Sequence, residues 1–439
     1  MTRAEFLQNW TSQVGLPLTW VTAEARLPQP VVAAILAGEQ EPSFDEIESL
    51  ARALGLRAED LYEETVSPTA GDAIRVLMKS AETFSPGPEV RLRMLDAARS
   101  ALDLLDLLGS EAPRRAGYQP LRALRSSTAP RKPLFEQGAD LARQVRKRLA
   151  ISSEISSMRD FVVDTLGIPI VAARLRAEGP DAFTIFGPGV RPVIVLNLDG
   201  KNEHGLVRRF SLAHEVYHAL FDQPGAAASV ACHIDPDVKL DRETRANAFA
   251  MRLLLPEKEI TKLSEHDIAR PGTLRGLMER WGVHRSALML YVKKVRKLSD
   301  EEAARDLPTV DSTCPSRWRE AEELPAERAG VDEVPIPRRG LLLQKLVEAY
   351  RADKLSMGAV RDNLHVDATV SVEHLATVLD LPPRARDRGW LARHDAIAGI
   401  SALLRPRCLR PYLSPLAPGS ADGHRCARAP WRGLRSWKG

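Results

Sequence analysis

At 439 residues the chain is long enough for two or three domains, each with its own core. Apolar residues make up 44% and charged residues 27%, the balance of a soluble globular protein, and no run reaches the roughly 18–20 apolar residues that span a bilayer. The net charge of +4 averages over unlike regions, because residues 1–64 carry −7 and residues 383–439 carry +9.

From the N-terminus, Met1–Gln13 is polar and mixed in charge, without the apolar stretch of a secretory leader. The four cysteines (Cys232, Cys314, Cys408 and Cys426) show no paired spacing. A cytoplasmic protein is expected. The spacing then predicts short helices over Ala4–Val14, Leu18–Ala25, Pro28–Ala37, Phe44–Leu54 and Ala58–Tyr62. Gly38 and Gly55 are placed to end two of them, and Ser43 with Glu46 forms a capping box for the fourth. The stretch SFDEIESLARALGLRAEDLY after LAGEQEP resembles the Cro/CI-like helix-turn-helix of the XRE family. That resemblance implies an all-α helix-turn-helix module over residues 1–66 and DNA as a partner. The residues argue the other way. Gln29 is the base-reading candidate in the third helix, and an acidic module repels the phosphate backbone. Docking or dimerisation through these helices is the competing reading.

Residues 67–133 read as a helical hairpin and linker. Gly71–Thr83 and Val90–Leu108 are amphipathic and flank a Ser-Pro-Gly-Pro break, and 110–133 is rich in Pro, Arg and Ser. The stripe Leu92, Leu95, Ala98, Leu102, Leu105 and Leu108 suits a packed hairpin or the seam of a homodimer. A new domain, 134–300, opens with an amphipathic helix, and a second helix is read over Ile155–Leu166. Three apolar runs follow, Ile168–Ala173, Ala182–Phe186 and Val190–Leu196, the last two joined at Gly187-Pro188-Gly189. A small sheet beside several helices makes this domain α+β.

The sharpest feature is RRFSLAHEVYHALF, with His214, Glu215 and His218 in an H-E-x-x-H pattern; ETRANAFAMRLLLP follows, beginning at Glu243. Histidines four apart share one helix face, so both imidazoles can reach one ion. Catalytic zinc takes three protein ligands and keeps a position open for water, and Glu243 supplies the third if its helix packs against the first. Glu215, turned by about 100° around the helix, reaches the water without ligating the metal and can act as base. Asn247, one turn after Glu243, can orient a ligand. Phe210, Leu212, Ala213, Leu220 and Phe221 mark the first helix as buried.

These two motifs resemble the ImmA/IrrE-type metallopeptidases over roughly residues 134–300. The resemblance implies a zincin-like fold, Zn2+ held by His214, His218 and Glu243, and Glu215 as catalytic base. It further implies a regulatory endopeptidase whose substrate is a protein such as a helix-turn-helix repressor. A DNA-binding regulator that uses its metal domain as a sensor is the alternative.

Cys232 and His233 read as loop residues near the motifs, and Tyr217 and Tyr291 as packing residues. Leu274–Trp281 and Arg285–Val295 form a helical pair with a basic end at Lys293, Lys294, Arg296 and Lys297. Residues 301–335 are polar and read as a mobile connection, leading within 301–382 to a helical C-terminal unit at Leu341–Tyr350, Met357–Leu364 and Glu373–Leu379. Residues 383–439 read as a basic, disordered tail or a non-native extension. The fold class expected is therefore multidomain, an all-α module and an α+β metallopeptidase domain with a helical C-terminal unit.

Overall fold

A computed structural model describes residues 1–54, 56, 58–63, 87–108, 118–124, 132–187, 191–222 and 236–381. The helix read over Gly71–Thr83, the Gly55 stop, the Pro188-Gly189 turn, Cys232, His233 and the tail 383–439 lie outside these residues.

Near the N-terminus come α1 (Arg3–Val14), α2 (Leu18–Ala25), α3 (Gln29–Ala37), α4 (Phe44–Leu54) and α5 (Glu59–Tyr62). Local chemistry sets their ends. Thr2 Oγ1 accepts from the Glu5 amide at 3.2 Å while Glu5 accepts from the Thr2 amide at 2.8 Å, and Ser43 and Glu46 repeat that exchange before α4. Gly15 and Gly38 stop α1 and α3 at φ of 67° and 73°, a region that favours a residue without Cβ. Phe6, Trp10, Val21, Val32, Ile35, Leu50 and Leu54 share one small core. The Trp10 indole donates to the Leu54 carbonyl at 3.1 Å, so burying that ring leaves no orphan donor.

Helix α6 (Pro88–Leu108) is shared between cores. Leu92 and Leu95 complete the N-terminal core. Ala98, Ala101, Leu104 and Leu105 pack instead with the sheet and the C-terminal helices. The stripe that reads as a hairpin or dimer seam is thus covered within the chain.

The sheet, among the described residues, has β1 (Ile170–Ala173), β2 (Ala182–Gly187) and β3 (Arg191–Asn197) in the order β1-β3-β2. β3 pairs parallel with β1, and antiparallel with β2 in a register that sets Thr184 opposite Ile194. Alternation along β3 divides two layers. Ile194 and Leu196 join the core of the motif helices, while Val193 and Val195 join α6, α14 (Leu341–Arg351), α15 (Met357–Leu364) and α16 (Val372–Val378). On the first face lie α8 (Leu134–Arg148), α9 (Gly205–Phe221) and α10 (Pro236–Leu254), preceded by the short α7 (Tyr118–Arg122). They are followed by α11 (Pro271–Trp281), α12 (Arg285–Arg296) and α13 (Ser316–Ala321). α8 and α10 touch backbone to backbone: a Cβ on Gly138 would stand 2.1 Å from the Arg245 carbonyl oxygen. The small sheet among helices fits the α+β expectation for this region.

Two readings need correction. The helix expected over Ile155–Leu166 begins only at Met158, where Ser157 caps it by accepting from the Asp160 amide at 3.0 Å, and it then widens into a π-helical turn over Phe161–Leu166. Residues 301–335 are not a loose connection. Trp318, Leu324 and Ala326 belong to the core beneath α9, and Glu322 reaches Arg209 at 2.6 Å with both side chains 0% exposed. Glu322 also accepts from the amides of Met158 and Arg159, at 2.7 and 3.0 Å, and the Arg209 guanidinium lies 4.0 Å from the centre of the Trp318 ring. Burial pushes the Glu322 carboxyl up and the Arg209 guanidinium down. Both charges therefore depend on one another. The polar composition of 301–335 conceals this, because Val310, Trp318, Leu324, Val331 and Val334 are scattered singly yet buried.

Replacing Glu322 by Ala leaves the Arg209 charge uncompensated and should lower the unfolding free energy by about 3–5 kcal/mol. Urea titration of the variant measures it as a lower midpoint. A midpoint equal to that of the parent chain would remove this pair from the account of the fold.

Candidate metal centre

Helix α9 is buried along most of its length. His204 caps it, its Nδ1 accepting from the Leu206 amide at 3.3 Å. The side facing α10 carries His214 and His218, and α10 brings Glu243 to them. One donor atom from each of these three residues lies within 4.8 Å of the other two. The two Nε2 atoms are 3.0 Å apart. Glu243 Oε2 is 3.1 Å from His214 Nε2, and Oε1 is 3.5 Å from His218 Nε2.

The outer ring nitrogens explain why this convergence needs a cation. His218 Nδ1 lies 2.7 Å from Asp222 Oδ2; a carboxylate only accepts, so that nitrogen carries the proton. His214 Nδ1 lies 3.1 Å from Asn247 Oδ1 and donates to it likewise. In their neutral forms both rings then turn bare lone pairs toward each other and toward an anionic oxygen. Three acceptors meet with no donor among them.

A positive charge resolves the conflict. Burial alone would push the His218 imidazolium down, yet the Asp222 and Glu243 carboxylates hold it well above the usual histidine range. Burial would likewise raise the Glu243 carboxyl, but its bonds to His214 and His218 hold it far below the usual carboxylate range. The donor set also fits a metal. Zinc bonds of about 2.0–2.1 Å in a tetrahedron imply ligand separations of about 3.3–3.4 Å, and the three observed separations bracket that figure. Glu243 is the most exposed of the trio, at 39% against 14% and 16% for the histidine side chains, so the group opens toward solvent on the glutamate side.

Glu215 points to the sheet side of α9 and is only 6% exposed. Thr184, on β2, donates from Oγ1 to Glu215 Oε2 at 2.7 Å. One oxygen of the carboxylate is thereby fixed by a strand. Tyr217 is buried and accepts from Arg245 Nε at 3.0 Å; burial, with the Asp222 charge, pushes its hydroxyl up to about 12. It packs. Tyr291 is buried on α12. Gln29 sits exposed at the first position of α3, in the N-terminal module and outside the core that holds the metal centre. The structure therefore brings together His214, His218, Glu243 and Asn247, sets Glu215 on the same helix near enough for its charge to act on His218, and leaves Gln29 elsewhere.

Two functional candidates escaped sequence reasoning. Asp222 had a usable signal, because it follows His218 by the same four residues that separate the two histidines. Thr184 had none, since its partner lies 31 positions away and only strand pairing aims it.

Residues 163–290 match the model of the Peptidase_M78 family, described as an IrrE N-terminal-like domain. The matched segment spans the sheet, α9 and α10, and supports an ImmA/IrrE-type domain and a metallopeptidase-like protein. No curated protein and no solved structure matches the chain.

Groups that hold a ligand's outer nitrogen typically contribute about 10–100-fold to metal affinity. Asp222→Asn is expected to weaken binding of a divalent cation by that factor, read by competition with a chromogenic chelator, with circular dichroism unchanged. Equal affinity in the variant and the parent would show that Asp222 does not orient His218.

Proposed function

We propose that the chain is a zinc-dependent regulatory endopeptidase acting on a protein. The observation that carries the reading is the meeting of His214, His218 and Glu243 around one point, with the buried Glu215 carboxylate on the same helix. His214, His218 and Glu243 would hold the ion. When bound, zinc supplies Lewis acidity, lowering the pKa of a water toward ~7 and polarising a carbonyl.

The chain's own residues account for the remainder. Glu215 takes the proton of the attacking water and returns it to the leaving amine, so its carboxylate must be ionised and fixed when substrate enters. Thr184 fixes it. The strand that carries Thr184 has a free side: β2 pairs only with β3 among the described residues. An extended segment of substrate could add to that edge through main-chain hydrogen bonds, which suits a protein substrate better than a small molecule. Asn247 and Asp222 keep the Nε2 lone pairs aimed at the metal.

The family resemblance of the two motifs supports a helix-turn-helix repressor as substrate, with the N-terminal helices as an attached recognition module. The alternative reading, a DNA-binding regulator that senses through its metal domain, rests on that module and on the exposed Gln29. Its formal charge of −7 over residues 1–64 disfavours phosphate contact. No helix among the described residues is long and apolar enough to cross a membrane.

Glu215→Gln should retain stoichiometric zinc by elemental analysis yet lose cleavage by at least about 100-fold, the lower range for a general base. Comparing the proteomes of cells that make the parent or the variant would expose the substrate. Cleavage retained by the variant would defeat the catalytic assignment. A gel shift with the full chain tests the alternative: sequence-selective binding that Gln29→Ala abolishes would favour the regulator.

A further inference from the structure

On the far side of α10 from the metal centre, a cavity of about 440 Å³ lies where the C-terminal ends of α8 and α10 meet the turn after Pro256. Its lining includes Arg143, Arg146, Arg252 and Lys258 but a single carboxylate, Glu257. Such an excess of cations in a concave site attracts anions.

The cations differ in what they have left to give. Arg146 is spent, donating to the Leu253 and Ser153 carbonyls at 2.6 and 2.5 Å, and so closes the end of α10. Arg143 gives one nitrogen to Asp140 at 3.1 Å and is otherwise open to solvent. Lys258 is exposed, and no side-chain partner meets it among the described residues. Arg252 is the built-in element: its side chain is 94% buried, and it pairs with Glu257 through one terminal nitrogen. Its Nε has no partner among the described residues, and neither has the Tyr291 hydroxyl, whose ring lies 5.1 Å beneath the Arg252 guanidinium. A buried donor left unmade is costly, and the Arg252 side chain lines the wall that bears the excess charge. Ile151 and Pro256 give the same cavity an apolar side.

We propose that this cavity binds a phosphorylated small molecule of nucleotide size, its phosphate held by Arg252, Arg143 and Lys258 and its body resting on Ile151 and Pro256. A volume of 440 Å³ lies within the usual range of about 300–1,000 Å³ for such sites. The site is separate from the metal centre, since Arg252 follows Glu243 by nine residues and therefore faces about half a turn away on α10.

Calorimetric titration of ADP and of adenosine into the full-length protein, metal-loaded and metal-stripped, tests it. ADP should bind in both metal states and adenosine in neither. The double variant Arg143→Glu/Lys258→Glu changes two exposed positions and should weaken ADP at least tenfold with its melting temperature unchanged. Arg252→Lys, which keeps the charge and loses the planar fork, should weaken ADP as well. Four results would each overturn the proposal: no ADP binding at millimolar concentration, equal binding by the double variant, equal binding of adenosine, or ADP binding confined to the metal-loaded protein.

Discussion

Two imidazoles and a carboxylate held within 3.5 Å of one another repel unless positive charge stands between them. The protein pays for that proximity with packing elsewhere. α9 and α10 are pressed together by a core running from Tyr217 through Phe249 to the sheet. α10 is held from behind by α8, where Gly138 lets two backbones touch. The upstream half of α9 is pinned by Arg209 and Glu322, a pair with no access to water. One helix thus carries an ion pair sealed from solvent, a carboxylate steered by a strand, and two rings aimed at a shared point. Each depends on the others staying in register.

Much of this was legible in the sequence because it is local. The spacing 214–218 fixes two rings on one face whatever the remainder of the chain does. The helix ends at Ser43 and Gly38 follow from capping chemistry confined to a few positions. The apolar runs Ile168–Ala173, Ala182–Phe186 and Val190–Leu196 foretold a small sheet beside helices. What escaped was long-range. Thr184 meets Glu215 only after β2 has paired with β3, and Glu322 meets Arg209 across 113 positions. A segment such as 301–335 looks idle by composition, yet its one buried carboxylate neutralises a charge on the motif helix itself. The reading failed there because periodicity detects faces and is blind to single anchoring residues.

The charge distribution has its own logic. The acidic N-terminal helices use Arg3, one of their four arginines, to tie the Leu61 and Tyr62 carbonyls and Glu41. That guanidinium staples the last helix to the first and offers nothing outward. Among the described residues, Arg143, Arg146, Arg252 and Lys258 gather instead around the cavity at the far end of α10. Composition averaged over the chain hides both facts.

The first turns of helix α6 serve two cores, Leu92 and Leu95 one and Val90 and Met94 the other, and its later turns serve only the second. It works as a common rafter. Loosening the roof at either end strips apolar cover from the opposite room, so the N-terminal bundle and the underside of the sheet share their resistance to opening and should exchange amide protons as a single block. Whatever grips the bundle from outside therefore tugs on the floor on which the motif helix rests.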